Sequence, residues 1–205
     1  MTDTDLQPLV AATYLALADL LEGSPSSSWD AQSLCEAWRV REVVAHVTMP
    51  ARYTEEQFMA ELAQDEFDFT RLSNRIATRD AQLPTDQLVT TLRDTGLHQW
   101  TPPGGGAAGA LNHAVVHSLD VTVPLDAAPS ASEAAIRSVL DELTKGGGHQ
   151  NFGTDLAGRS LHAVDTGWTF GSGDPLSATA ADLAAHICGR ALPEGRLDGA
   201  PLPRS

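Results

Sequence analysis

The stretch 111-LNHAVVHSLD-120 places two histidines four residues apart, with an aspartate three residues further on, inside an otherwise apolar run. At 3.6 residues per turn, His113, His117 and Asp120 share one narrow stripe of a helix, and leucine, alanine and valine cover most of the remaining circumference. A solvated helix face would be broad and charged. The stripe is therefore predicted to face an interior or a cleft, where imidazoles need hydrogen bonds, a carboxylate or a metal ion as partners.

Length and composition limit the classes of protein. The chain has 205 residues, which is enough to bury a core, and its two cysteines are too few for a disulfide framework. No secretion signal and no apolar run near the roughly 20 residues of a membrane span is recognisable. The formal net charge of −14 repels polyanions. These features predict a cytoplasmic protein that binds neither nucleic acid nor membrane.

Helical periodicity dominates the first part of the chain. Apolar residues recur at helical spacing over residues 5–22 and again from Val40 to Pro50, and residues 53–80 follow a weaker helical pattern. Thr85 is the expected N-terminal cap of the next helix. After the glycine-rich segment 101-TPPGGGAAG-109, the histidine helix is predicted to run from about Gly109 to just before Pro124.

The pattern changes towards the C-terminus. An amphipathic helix over residues 133–145 is expected to end at three glycines, and alternation around a Thr166–Gly167 turn then predicts strands. The segment 178-ATAADLAAHICGR-190 is predicted to contain a short helix that ends at Gly189. We predict a helical domain over residues 1–148 and a small α+β domain over residues 155–205.

The histidine pair is half of a metal site. Imidazoles at positions i and i+4 can share one divalent ion, and a catalytic zinc takes three protein ligands and leaves a position open. Of the other histidines, only His46 lies well inside a helix with an apolar stripe. Asp120 is expected to accept a hydrogen bond from a ligating imidazole, although it could itself be a ligand or a helix-end charge. The alternative is that His113 and His117 are ordinary core histidines; Cys35 is a possible soft ligand but more often such a residue is structural.

Three segments carry a resemblance to a known family. They are 29-WDAQSLCEAWRVREVVAHV-47, 100-WTPPGGGAAGALNHAVVHSLDVTVPLD-126, and the C-terminal pair 158-GRSLHAVDTGWTFGSG-173 and 178-ATAADLAAHICGR-190. The first two resemble signatures of the mycothiol-dependent maleylpyruvate isomerase N-terminal family, a branch of the DinB-like metal-binding bundles. The last two resemble the small domain that often follows it, so the likeness extends over nearly the whole chain.

The resemblance implies a mainly α fold, a DinB-like antiparallel four-helix bundle with a small C-terminal α+β appendage. It implies a divalent ion, Zn²⁺ or another such as Ni²⁺, held by His46, His113 and His117, with Asp120 behind the ligands. Some isomerases of the family have a glutamate at the first position of the histidine pair. His113 keeps a ligand at that position but makes the site one charge more positive.

The implied chemistry uses mycothiol, the low-molecular-weight thiol of actinobacteria. A thiol bound to a cation loses its proton near neutral pH, and the thiolate is the nucleophile. Its addition to a double bond and subsequent loss isomerise a small electrophile, whereas a retained adduct makes an S-transferase. A metal-dependent hydrolase of a small molecule and a non-catalytic metal- or ligand-binding module are the alternatives.

Two further residues are candidates for binding the thiol or the substrate. Trp38 could form a pocket wall, although large aromatic residues more often anchor the core. Arg41 could meet an anionic substrate, although a surface salt bridge is the more common role. The segment 101–109 lacks the pattern of a phosphate-binding loop and is interpreted as a connector or a lid.

Overall fold

The structure of the chain is a computed structural model that describes residues 3–204. It is mainly helical, with a small four-stranded sheet near the C-terminus, as predicted. The α-helices are α1 (Asp3–Glu22), α2 (Val40–Val47), α3 (Met49–Arg52), α4 (Glu55–Gln64), α5 (Phe69–Asp80), α6 (Thr85–Leu92), α7 (Thr95–Gln99), α8 (Gly106–Thr122), α9 (Glu133–Glu142), α10 (Gly148–Phe152) and α11 (Ala180–Ile187).

The helical body is built on the long helices α1 and α8. They pack along each other, α2 packs against both α8 and α5, and α6 packs against α1. Residues such as Leu17, Val43, Leu88 and Leu119 are fully buried where these helices meet. The body is thus the four-helix arrangement expected from the sequence. Three of its helices are α1, α2 and α8, and helices α5 and α6 together take the place of the fourth.

Several helix ends differ from the sequence predictions. The helix predicted to reach Pro50 ends at Val47, and Pro50 instead lies in the first turn of α3, where a missing N–H costs little. Thr85 does not cap α6; it is the first helical residue and Pro84 precedes it. The glycines after α9 do not end the helical run, which continues through a π-helical turn, kinked at Gly146, into α10.

The sheet pairs strands that are not all neighbours in sequence. Its order is β2 (Thr169–Gly171), β1 (Arg159–Ala163), β3 (Asp174–Ala178) and β4 (Asp198–Gly199). The β1–β2 and β3–β4 pairs are antiparallel, whereas β1 and β3 are parallel, with Leu161 opposite Leu176. Both leucines are fully buried beneath α11 and its neighbours, so one face of this small sheet belongs to the core.

The C-terminal part packs directly onto the helical body. Helix α11 lies against α9 and α8, and the Trp168 indole N–H donates a 2.9 Å hydrogen bond to Asp141. Buried residues of both parts join one continuous hydrophobic core. The domain limits 1–148 and 155–205 stay a prediction, as does a cytoplasmic location. Within residues 3–204, none of the helices combines the length and apolar character needed to cross a bilayer.

Candidate metal centre

Helix α8 presents the histidine pair on one face, and most of its remaining circumference is apolar. Ala114, Val115 and Leu119 are fully buried around the helix, whereas His113 and His117 are partly exposed on successive turns of one face. The centroids of the two imidazole rings lie 4.7 Å apart. Helical spacing alone therefore brings these two rings together, as expected from their sequence positions.

Helix α2 supplies the third imidazole. His46 lies in the last turn of α2, is 6% exposed, and points at the pair where α2 crosses α8. Its Nε2 lies 3.3 Å from His113 Nε2, and its ring centroid lies 4.9 Å from that of His117. One nitrogen from each of the three rings lies within 4.8 Å of the other two. The structure thus groups the three residues that the resemblance implied as ligands.

The ring nitrogens that point away from the cluster have different surroundings. His117 Nδ1 lies 2.9 Å from Asp120 Oδ2, and His113 Nδ1 lies 3.1 Å from the hydroxyl of Tyr14. The Nδ1 of His46 is buried without a hydrogen-bond partner. Because a carboxylate only accepts, His117 carries a proton on Nδ1, and in the neutral ring its Nε2 keeps a free lone pair.

Asp120 connects this cluster to two other parts of the chain. Its side chain is fully buried, and Arg190, which follows α11, donates to both carboxylate oxygens at 2.7 and 2.9 Å. The thiol of Cys35 donates to Oδ2 at 3.0 Å. Burial by itself raises the pKa of Asp120, but the hydrogen bonds from Arg190 and His117 outweigh it and hold that pKa well below its usual range. Asp120 is therefore an anion whose oxygens accept four hydrogen bonds, two from Arg190 and one each from His117 and Cys35.

The donor set fits a divalent cation. Burial lowers the pKa of His46 to about 3 and also lowers that of His113, so both rings are neutral at pH 7 and keep a lone pair. Neutral imidazoles that converge in this way are the ligands that zinc and similar ions prefer. The carboxylate behind His117 is the usual outer partner of a ligating histidine. The residues present are thus compatible with the ion that the resemblance implies.

A second group, made of Cys35, His117 and Asp120, also brings three potential ligand atoms together. It fits a cation poorly, because the guanidinium of Arg190 already occupies both oxygens of Asp120. Burial and the adjacent carboxylate raise the pKa of Cys35, so the sulfur keeps its proton. The possible role of Cys35 as a soft ligand is accordingly not favoured, and its S–H is a hydrogen-bond donor instead.

Two tryptophans lie against the histidine cluster. The Trp38 ring centroid lies 4.8 Å from that of His46 and 6.3 Å from that of His117, and its indole N–H donates to Asn74 at 3.0 Å. Trp100, just before the glycine-rich segment, lies 5.5 Å from His113. Trp38 is therefore both a buried packing residue and a neighbour of the cluster.

Arg41 lies elsewhere on α2, five residues before His46. Its Nη1 is 3.7 Å from Asp30 and its Nε is buried without a hydrogen-bond partner. The structure thus supplies the salt bridge that was the alternative to an anion-binding role.

Tyr14 and Arg190 are the two residues of this region that sequence reasoning did not identify. Tyr14 interrupts the apolar face of α1, and a buried tyrosine needs a polar partner, but nothing local says which one. Arg190 lies three residues after the end of α11, a position that is usually solvated. Neither signal could have pointed to α8 before the helices were placed.

Comparisons with known proteins agree with this architecture. The whole chain superposes on 98% of the crystal structure of the mycothiol-dependent maleylpyruvate isomerase, with a TM-score of 0.65 and 14% identity. A histidine-to-alanine mutant of that isomerase gives a TM-score of 0.62, 15% identity and the same coverage of both chains. At these identities the likeness shows the fold alone. A search of curated protein sequences finds no match.

The family comparison concerns the first half of the chain. Residues 10–99, which include α2 and His46, match the model described as the mycothiol maleylpyruvate isomerase N-terminal domain. The histidine pair of α8 lies beyond that match. The resemblance drawn from the sequence is confirmed by this match over residues 10–99.

Proposed function

We propose that this chain is an enzyme in which His46, His113 and His117 hold a divalent ion, Zn²⁺ or another such as Ni²⁺. Its cosubstrate is a low-molecular-weight thiol, mycothiol, and its reaction is the isomerisation of a small electrophile or the transfer of sulfur to one. The observation that carries the proposal is the convergence of three imidazole nitrogens within 4.8 Å. The thiol comes from the family match and from the name of the isomerase with the same fold.

The residues around the cluster have distinct tasks in this proposal. When bound, the ion would lower the pKa of a thiol so that the thiolate forms near neutral pH. Asp120 holds the His117 ring with its Nε2 free, and Arg190 keeps Asp120 ionised. Trp38 and Trp100 flank the rings and limit the access of water to them. The partial exposure of His113 and His117 gives small molecules a way in.

Charge favours an anionic reactant at this position. The three imidazoles are uncharged when they act as ligands, and the ion pair of Asp120 with Arg190 has no net charge. A divalent ion held here would keep its full charge, unlike one held with a glutamate at position 113. A thiolate or a carboxylate-bearing electrophile would therefore be attracted, although the whole chain has a formal net charge of −14.

The proposed isomerisation needs only the thiol and the electrophile. The thiolate sulfur forms a bond to one carbon of a conjugated cis double bond, and the displaced electron pair moves towards the adjacent carbonyl. Rotation then occurs about the resulting single bond. Loss of the same thiolate restores the double bond in the trans form and regenerates the thiol. If the adduct instead takes up a proton and leaves, the outcome is S-transfer.

A metal-dependent hydrolase is the second candidate. The observation that favours it is the convergence of three imidazoles, because such a ligand set also suits the activation of a bound water molecule. A non-catalytic metal- or ligand-binding module would use the same residues without turnover. Thiol dependence separates the first candidate from the other two.

Two measurements on the purified protein test the proposal. Metal analysis after dialysis in the presence of Zn²⁺ should give about one ion per chain, and less in His113→Ala than in the exposed-site control His162→Ala. Consumption or isomerisation of conjugated electrophiles should then require both mycothiol and the ion. Absence of a stoichiometric ion would overturn the metal site. An ion with hydrolysis but no thiol dependence would favour the hydrolase, and an ion without turnover would favour the binding module.

A further inference from the structure

The two histidines of α8 are supported by chemically different partners. Asp120 behind His117 is ionised and can only accept a hydrogen bond. The hydroxyl of Tyr14 behind His113 can donate or accept, because it carries one proton and two lone pairs. The outer partner of an imidazole decides which ring nitrogen carries the proton and which is free. His117 is therefore held in one tautomer, whereas His113 has a partner that permits both.

We propose that Tyr14 is a positioning residue that keeps the His113 ring in place while its proton changes nitrogen. In the metal-free protein the Tyr14 hydroxyl donates to His113 Nδ1. With an ion bound, the same hydroxyl would accept from Nδ1–H, and His113 Nε2 would be free to act as a ligand. This inference rests on the proposed metal site.

The burial of Tyr14 makes its hydroxyl dependent on this one contact. Its side chain is 1% exposed on α1, the helix that packs along α8. Among the described residues, 3–204, His113 is the hydrogen-bond partner of this hydroxyl, at 3.1 Å. Burial raises the pKa of Tyr14, so the oxygen keeps its proton. A buried hydroxyl without a partner is unfavourable, so the contact is favoured in both states.

The number of unsatisfied polar groups indicates whether Tyr14 donates to His113 or accepts from it in the metal-free protein. His113 Nε2 and His46 Nε2 lie 3.3 Å apart, so one of them must carry a proton. If His113 Nε2–H donates to His46, the Tyr14 hydroxyl donates to His113 Nδ1, and the one group left without a partner is the Nδ1–H of His46, a nitrogen that has no hydrogen-bond partner in the structure. The opposite arrangement leaves the Tyr14 hydroxyl proton without an acceptor and a bare Nδ1 on His46. Each arrangement leaves one donor unpaired, but the first has fewer unsatisfied polar groups, because the second also leaves an unpaired acceptor on His46.

An ion bound here would reverse the direction of this hydrogen bond. Nε2 of His113 must give up its proton to act as a ligand, and Nδ1 must take one, so His113 stays neutral. The Tyr14 hydroxyl would then turn its proton away and accept from His113 Nδ1–H. A carboxylate at this position would instead fix the Nδ1–H tautomer permanently, as Asp120 does for His117.

The experiment compares wild type with Tyr14→Phe, which keeps the ring and removes the oxygen. Tyr53→Phe is the matched control, because Tyr53 also has a hydroxyl in a hydrogen-bond network, with Asp80 as acceptor. Two-bond ¹H–¹⁵N NMR spectra report the tautomer of each histidine, and chelator competition reports the affinity for Zn²⁺. Thermal melting checks that the variants remain folded.

In wild type we expect His113 to be protonated on Nε2 without metal and on Nδ1 with Zn²⁺, while His117 stays protonated on Nδ1 throughout. Tyr14→Phe should weaken Zn²⁺ binding about 10-fold, the lower end for an outer partner of a ligand, and Tyr53→Phe should not. Equal affinity in wild type and Tyr14→Phe, or an unchanged His113 tautomer on Zn²⁺ binding, would overturn the inference. If wild type binds no Zn²⁺, the proposed metal site fails. The spectra of the metal-free protein still test the donor role of Tyr14, and Nδ1–H on His113 there would refute it.

Discussion

The guanidinium of Arg190 forms a two-point ion pair with the carboxylate of Asp120, with N–O distances of 2.7 and 2.9 Å. The Asp120 side chain is fully buried and that of Arg190 is 18% exposed. Arg190 belongs to the C-terminal part of the chain and Asp120 to the histidine helix. This pair therefore connects the small α+β part to the imidazole cluster through a single buried carboxylate.

Breaking the pair should destabilise the protein strongly. Arg190→Met leaves a buried carboxylate without its main counter-charge, and we expect a loss of about 3–5 kcal/mol in the free energy of unfolding, measured by urea titration. Asp120→Asn should also destabilise, because it leaves Arg190 unpaired. The double variant should lose less than the sum of the two single losses. Additive losses would mean that the two side chains do not interact energetically.

Metal binding should depend on each of the three clustered histidines. His46→Ala, His113→Ala and His117→Ala should each remove most of the bound Zn²⁺, because two ligands do not complete a site. The exposed His162 provides the matched control, His162→Ala, which should keep it. The metal-free variants should stay folded, since the helices have an apolar core of their own. Equal zinc content in wild type and His46→Ala would show that another residue is the third ligand.

The outer partner of His117 should tune affinity without being a ligand. Asp120→Asn is expected to weaken Zn²⁺ binding about 10- to 100-fold, as measured by competition with a chelator. The amide can no longer hold His117 as strongly in the tautomer that leaves Nε2 free. A complete loss of Zn²⁺ in a folded Asp120→Asn variant would instead indicate that Asp120 is itself a ligand.

Cysteine reactivity should be low in the native protein. Burial raises the pKa of Cys35, and it raises that of Cys188 to about 12, so few thiolates exist at pH 8. We expect a disulfide reagent such as Ellman's to modify the native protein much more slowly than the urea-unfolded chain, where both cysteines should react within minutes. Rapid modification of Cys35 in the native state would contradict its role as an S–H donor to Asp120.

The stability of the C-terminal part should fall in mild acid. Burial, together with the charges of Arg204 and Arg159, lowers the pKa of His186, whose Nε2 accepts from the Leu202 N–H at 3.0 Å. Below the unfolded-state pKa of about 6.5, the unfolded chain binds a proton that folded His186 does not. The stabilisation is therefore complete above that pH and is lost as pH falls towards the folded-state pKa.

The measurement is the unfolding free energy between pH 8 and pH 5. His186→Gln removes the titrating group and should reduce the slope, by at most about 1.4 kcal/mol per pH unit. His162→Gln, on the exposed side of β1, should leave it unchanged. An identical pH dependence in wild type and His186→Gln would show that His186 titrates alike in both states.

Sequence patterns predicted much of the fold because helices are local structures. The 3.6-residue period located α1, α8 and α9, and alternation located the β1–β2 hairpin around Gly167. Helix ends were less predictable. Asp94 caps α7 only two residues after α6 ends, and positive φ angles at Glu66 and Phe67 separate α4 from α5. Such breaks depend on single residues rather than on a repeated pattern.

The sequence alone determined that His113, His117 and Asp120 share one face of a helix, because that relationship needs only the helix geometry within two turns. The resemblance to the family added His46. Only the tertiary structure brought in Tyr14, 99 residues from His113, and Arg190, 70 residues from Asp120. These contacts depend on how α1 and the segment after α11 pack against α8. Packing of separate elements minimises exposed apolar surface over the whole chain, and no local pattern encodes which polar groups then meet.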